Sequence, residues 1–251
     1  MSLAPVIICG MHRSGTSLVS RALESIGLFT GDVKEHNNES VLFLTLNQWI
    51  FEQLNATWDN PANMRFVNDE LAGYMLSVIG NILNGPSAVS YTGNEPAHRQ
   101  ILTAGNRLPW GWKDPRTTLL WPLWLEVFPD AKVIHVTRHG VDVARSLQVR
   151  TDASIDEYVA NYRRRRALYR LVGRRRRFEP SLRVADIDAG LALWETYVDA
   201  AHEAVEALGE RAIEFRYEDF LADPDPIMDR LIDFCGLASV PHRQWREQVT
   251  D

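Results

Sequence analysis

Lysine is nearly missing from this chain of 251 residues: only Lys34, Lys113 and Lys132 occur, so almost all of its 27 basic side chains are arginine. A formal net charge of −6 removes the positive footprint that general nucleic-acid binding requires, and no nucleic-acid partner is expected. Cysteine is equally scarce. Cys9 and Cys235 stand near opposite ends of the chain, without the close Cys/His spacing of a zinc site or of a disulfide-stapled scaffold. They read as small buried hydrophobes in a reducing compartment, and no metal is expected. No stretch reaches the ~20 apolar residues of a membrane-spanning helix, and the basic start of a signal peptide is missing. The expected location is cytoplasmic.

What is present is the composition of a compact fold. Hydrophobic residues make up 45% and charged residues 24%, enough to build a substantial core. No internal repeat or low-complexity linker divides the chain, so a single domain over 1–251 is expected. The apolar run Val6 to Cys9 predicts a buried strand, and Leu18, Val19, Ala22, Leu23 and Ile26 recur with the period of an amphipathic helix that stops near Gly27. Strand, glycine loop and helix in that order open a parallel α/β sheet flanked by helices, with an anion site at the first crossover.

Further along, one long helix is expected over Asn37 to Trp58 and another over Asn68 to Leu83, separated by the break at Asp59-Asn-Pro61. These helices are candidates for the wall of a substrate pocket. A short strand or loop at Trp110 to Arg116 feeds an apolar helix, with Pro122 expected in its first turn or at a join because an interior proline costs ~3 kcal/mol. Ala131 to Thr137 and Arg211 to Phe215 read as strands; helices are expected from Val141, over Ile155 to Val172, over Leu191 to Leu208 and over Pro226 to Gly236.

The loop Gly10-Met-His-Arg-Ser-Gly-Thr-Ser17 has the spacing of a phosphate-binding loop, in which glycines let the backbone wrap an anion at a helix N-terminus. Where nucleoside-triphosphate loops carry lysine before Ser/Thr, this chain has Thr16. That substitution counts against a P-loop kinase, which remains the alternative enzyme reading. A nucleotide-binding protein without catalysis is a further alternative.

The same loop resembles the 5'-phosphosulfate loop of sulfotransferases that use 3'-phosphoadenosine 5'-phosphosulfate (PAPS). Trp110-Gly-Trp-Lys-Asp-Pro-Arg-Thr117 is similar to a second segment of that family, its Lys-Asp-Pro resembling the protein-tyrosine branch. Val133 to Ser146 is similar to the 3'-phosphate segment, and Tyr217-Glu-Asp-Phe-Leu-Ala-Asp-Pro224 to a late strand-to-helix passage. The similarities run in family order over nearly the whole chain, toward the bacterial and the protein-tyrosine or carbohydrate branches.

The resemblance implies a sulfotransferase fold, PAPS as donor and 3',5'-bisphosphoadenosine (PAP) as product, with a small molecule, carbohydrate or peptide as acceptor. It assigns Arg13, Ser14, Gly15, Thr16 and Ser17 to the 5'-phosphate and Arg138 with Ser146 to the 3'-phosphate. Lys113 is implied on the leaving phosphate, with a surface lysine packed on Trp110 or Trp112 as the alternative. Arg13 either clamps the sulfate or is a solvated loop charge, and His12 either donates to the same anion or packs the loop. Glu39 is the candidate general base, with Glu35 and His36 as alternatives and His12 and His139 behind them. Asn37-Asn-Glu-Ser40 departs from the Gly-aromatic-Glu stretch of many relatives, leaving Glu39 open to a helix-capping role. The arginine-lysine-glycine loop of cytosolic relatives has no counterpart. Nine arginines between Arg163 and Arg177 remain open between donor binding, an acidic acceptor and a solvated face.

Overall fold

The computed structural model describes residues 3–95, 98, 100–103, 106–171, 180–237 and 243–248, with the backbone alone for 167–171 and 243. Two compact units emerge, one of Met1–Arg138 with Tyr197–Asp251, the other of His139–Thr196.

The first unit is built on a parallel sheet of strands β1 (Val6–Cys9), β2 (Gly111–Lys113), β3 (Lys132–Thr137) and β4 (Ala212–Arg216) in the order β2-β1-β3-β4. Its helices are α1 (Thr16–Ser25), α2 (Val41–Gln53), α3 (Asp69–Leu83), α4 (Val89–Thr92) and α5 (Thr117–Val127), followed after β4 by α8 (Tyr217–Ala222), α9 (Pro224–Cys235) and α10 (Arg243–Arg246). Helices α6 (Gly140–Leu171) and α7 (Ile187–Leu208) lie between β3 and β4 in the chain. The expected parallel α/β architecture is therefore present.

Alternation along the strands sends successive side chains to opposite faces. Val6, Ile8, Ile134, Val136 and Phe215 join Val19, Leu23, Met228, Leu231 and Ile232 from α1 and α9 in a largely aliphatic core. Ile7 pairs with Trp112 in the β1–β2 register, and Trp112 belongs to a different cluster: Phe43 of α2 stacks on it with centroids 4.0 Å apart, and Trp124 of α5 lies 5.0 Å away.

In the second unit Gln148 Nε2 donates to Ala185 O at 2.8 Å, while Val143, Ala144, Leu147, Val184 and Leu193 are buried. The two helical stretches expected from Val141 and from Ile155 are one continuous helix, α6.

Two local expectations fail. The helix expected over Asn37 to Trp58 is confined to Val41–Gln53. Asn38 and Asn55 take left-handed backbone angles, φ 69° and 47°, a conformation that asparagine tolerates and that stops a helix. Lys34 also bridges to Ser40, closing residues 34–40 into a loop. Pro122, expected at a helix edge, lies inside α5. It removes one hydrogen bond, to the Thr118 carbonyl, in a helix whose Leu119, Leu120 and Trp124 are buried and hold it in place.

Candidate active site

All four strands are parallel, so the segments leaving their carboxyl ends gather along one edge of the sheet. That edge receives Gly10 to Gly15 after β1, Asp114 to Arg116 after β2, Arg138 after β3 and Tyr217 after β4. The connection after β1 leads to β2 on one side and the connection after β3 to β4 on the other, and such a reversal in a parallel sheet opens a crevice for ligands.

The loop after β1 is held in an unusual backbone conformation. Gly10, Arg13 and Gly15 have φ of 144°, 72° and 97°. A Cβ on Gly15 would lie 2.1 Å from the ring of Tyr217, so only glycine fits there. Thr118 of α5 fixes the loop's start, its Oγ1 accepting from Gly10 N at 2.9 Å and donating to Gly10 O at 3.2 Å. Thr16 opens α1 and is buried with Ser14. The Ser14 hydroxyl has no hydrogen-bond partner. Arg13 is exposed.

Lys113 and Glu39, singled out separately in the sequence, meet. Lys113 Nζ donates to Glu39 Oε1 at 2.6 Å, with side chains 1% and 9% exposed. Burial lowers the Lys113 pKa by penalising the ammonium, and Glu39 opposes that shift, followed by Asp114. The loop carrying Glu39 is fastened to α1: Ser17 Oγ donates to Asn37 O at 2.8 Å and Asn38 Nδ2 to Ser20 Oγ at 3.0 Å. Glu35 N donates to Glu39 O at 2.9 Å. Glu39 precedes the α2 N-cap, Ser40, so its side chain serves the ion pair rather than a cap. The other candidate bases, Glu35 and His36, are exposed neighbours 3.9 Å apart.

Behind Lys113 lies a buried hydrogen-bond network. Asn47 Nδ2 donates to Asp114 Oδ2 at 2.9 Å and to Thr117 Oγ1 at 3.0 Å, while its Oδ1 accepts from Trp124 Nε1 at 2.8 Å. Trp112 Nε1 donates to Thr117 Oγ1 at 3.2 Å. Arg116 donates to both Asp114 oxygens, at 3.2 and 3.1 Å. Every carboxylate oxygen and indole N–H in this group is satisfied, as burial demands.

Arg138 lies on the other side of the loop, where its Nη1 donates to Arg13 O at 3.2 Å and its guanidinium lies 5.2 Å from the Tyr217 ring centroid. His12 packs on Trp58, with centroids 4.6 Å apart, and Tyr197 OH donates to Trp58 O at 2.9 Å. Burial raises the Tyr197 pKa, keeping its phenol protonated as a donor. Ser146 is half-buried on α6 of the second unit, and His139 opens that unit. Of the arginine run, Arg163 to Arg166 are exposed, and Arg170 and Arg174 to Arg177 fall outside the residues whose side chains are described.

Asn47, Asp114, Arg116, Thr118 and Tyr217 complete the arrangement without having been singled out as site residues. Asp114 and Arg116 flank Lys113 in a motif that was read, and Tyr217 opens another. Asn47 and Thr118 sit in largely apolar helices beside the polar Gln48 and Thr117, and no motif marked them out.

A sequence model of the sulfotransferase family matches residues 5–241. The chain is a member of the sulfotransferase family. Three solved structures share the fold. A sulfotransferase domain from the curacin biosynthetic pathway is 19% identical, with a TM-score of 0.51 over 96% of this chain and 77% of that one. The sulfotransferase domain of the Synechococcus PCC 7002 olefin synthase is 16% identical, with a TM-score of 0.51 over 96% and 77%. Sulfotransferase STF9 from Mycobacterium avium is 15% identical, with a TM-score of 0.50 over 100% and 68%. No curated protein sequence matches the chain. No helix among the described residues of this sulfotransferase is long and apolar enough to cross a membrane, and among those residues no group of three or more His, Cys, Asp or Glu side chains can hold a metal ion.

Proposed function

We propose that this sulfotransferase moves a sulfuryl group from PAPS to a hydroxyl or amine acceptor and releases PAP. The observation that carries this reading is the buried ion pair of Lys113, the last residue of β2, and Glu39, on a loop tied to α1. A phosphate loop without its own lysine leaves the cation to come from elsewhere, and Lys113 provides one in surroundings of low polarity, where charge stabilisation is strong.

In this reading the acceptor oxygen or nitrogen attacks sulfur as the bond from sulfur to the bridging phosphate oxygen breaks. Glu39 takes the acceptor proton, and Lys113 neutralises the charge that collects on the departing phosphate. Thr16, Ser17, the loop amides and Arg13 hold the 5'-phosphosulfate. Arg138 and Ser146 hold the 3'-phosphate, for which a guanidinium fork is well shaped. The loop conformation and the buried cation fit an anionic donor. In the free protein Lys113 is satisfied by Glu39, so the negative charge of the donor competes for the ammonium and frees the carboxylate to act as base. Trp58 against His12 supplies an aromatic edge for a small-molecule, carbohydrate or peptide acceptor.

Calorimetric titration with PAP, ATP and 5'-AMP, without and with magnesium, tests the proposal. Metal-independent binding that requires the 3'-phosphate is expected, and Arg138→Ala should weaken PAP binding about tenfold to a hundredfold. Preference for ATP with magnesium would replace this reading with the kinase alternative.

A further inference from the structure

Helix α6 changes character part-way along. Val143, Ala144, Leu147 and Thr151 are buried, but from Asp152 to Arg166 no side chain is. That stretch is about 22 Å of helix at 1.5 Å per residue, and of its side chains only Ser154, Ile155 and Asn161 are half-buried. Tyr158, Val159 and Tyr162 are 42%, 39% and 51% exposed, and Arg163 to Arg166 are all exposed. Successive helical residues are ~100° apart, so four consecutive arginines surround the helix. No acid stands three or four positions before any of them, so the helix lacks the ion pairs that stabilise an isolated helix. Arg164 donates to Asn161 Oδ1 at 2.6 Å; Arg163, Arg165 and Arg166 form no ion pair with any described residue. A helix that buries so little and lacks such pairs is marginal in water.

The chain itself carries the complementary surface. On α7, Glu195, Asp199, Glu203 and Glu206 recur at spacings of four, four and three, so they share one helical face over roughly 16 Å. All four are exposed, and none forms an ion pair with a described residue. The two patches are opposite in charge, four arginines over about 5 Å of helix against roughly 16 Å of acidic face. We propose that the exposed end of α6 docks on the acidic face of α7 in a second copy of this chain. The arginines meet the carboxylates there, and the exposed Val159 adds an apolar contact that paired charges alone lack. Both surfaces belong to one chain, so the contact closes reciprocally in a two-fold dimer or repeats head-to-tail in a ring or open chain.

Sedimentation velocity over a dilution series, at about 30 mM and about 0.5 M NaCl, reads the contact directly, since exposed charges are screened across that range. Self-association at low salt is expected, at least about tenfold weaker at high salt. R163E/R165E/R166E and E195K/D199K/E203K should each be monomeric at low salt, with circular dichroism confirming that both fold. Mixed in equal amounts, the two variants should associate again, because each then offers the charge that the other lost. Wild type that stays monomeric at low salt, association that survives either charge reversal, or folded variants that fail to associate when mixed would overturn the proposal.

Discussion

The two faces of the sheet are packed by different chemistry. Toward α1 and α9 the contacts are mostly aliphatic, among Ile8, Val19, Leu23, Ile134, Leu231 and Ile232 with Phe215, Phe220 and Trp245 beside them, and any well-fitting set of apolar side chains would serve. Toward α2 and α5 the core is aromatic and threaded by the hydrogen bonds of Asn47, Asp114, Thr117, Trp112 and Trp124. A hydrophobic contact tolerates small shifts, whereas a buried hydrogen bond has one geometry. The aliphatic face therefore supplies stability, and the aromatic face fixes the segment that bears Lys113.

The difference can be broken at several depths. Glu39→Gln keeps shape but removes the proton acceptor, and kcat should fall about 10²–10⁴-fold in a sulfuryl-transfer assay while the fold persists. Leu231→Ala opens a cavity on the aliphatic face and should cost about 3 kcal/mol in urea unfolding, with kcat in the folded fraction unchanged. Asn47→Ala should cost about 2 to 3 kcal/mol, because Asp114 and the Trp124 N–H lose their partner; unlike Leu231→Ala, it should also lower kcat by releasing the Lys113 segment. Equal effects of the two on kcat would erase the distinction between the faces.

A smaller effect tests a third location. Glu214 Oε2 lies 2.6 Å from His135 Nδ1 and 3.3 Å from His202 Nε2, and the hydrogen bond to His135 holds the Glu214 pKa below the usual carboxylate range. A depressed carboxylate stabilises the fold above its unfolded pKa and loses that contribution as pH falls through the lower folded value. Wild type should thus show a modest loss of stability below about pH 4.5 that His135→Phe lacks, read as unfolding midpoint against pH.

The outline of the fold was legible in the sequence because it rests on local patterns: an apolar run for β1, helical periodicity for α1, the breaks at Pro61 and Gly85. Lys113 and Glu39 were legible one at a time, through rarity and motif. Their ion pair was not, since 74 residues separate them and only the β1–β2 pairing brings them together. Asn47 gave a weaker signal still, because a polar residue in an apolar helix reads the same whether it faces water or a buried carboxylate. The helix expected through Asn37 failed because local periodicity does not register the left-handed turn at Asn38 or the bridge from Lys34 to Ser40.

The loop carrying Glu39 is tied to α1 by the bonds of Ser17 to Asn37 and of Asn38 to Ser20 near the start of that helix, and by the Lys34–Glu24 ion pair near its end. Carboxylate and phosphate loop therefore share a mount, and thermal motion that carries one carries the other. Their spacing is insulated from breathing elsewhere in the molecule. Loosening the mount with Asn38→Gly, which keeps the Ser17 hydroxyl, would leave both ends of the reaction intact but let their separation fluctuate more, turning a set distance into a distribution of distances and a single turnover rate into a spread of rates.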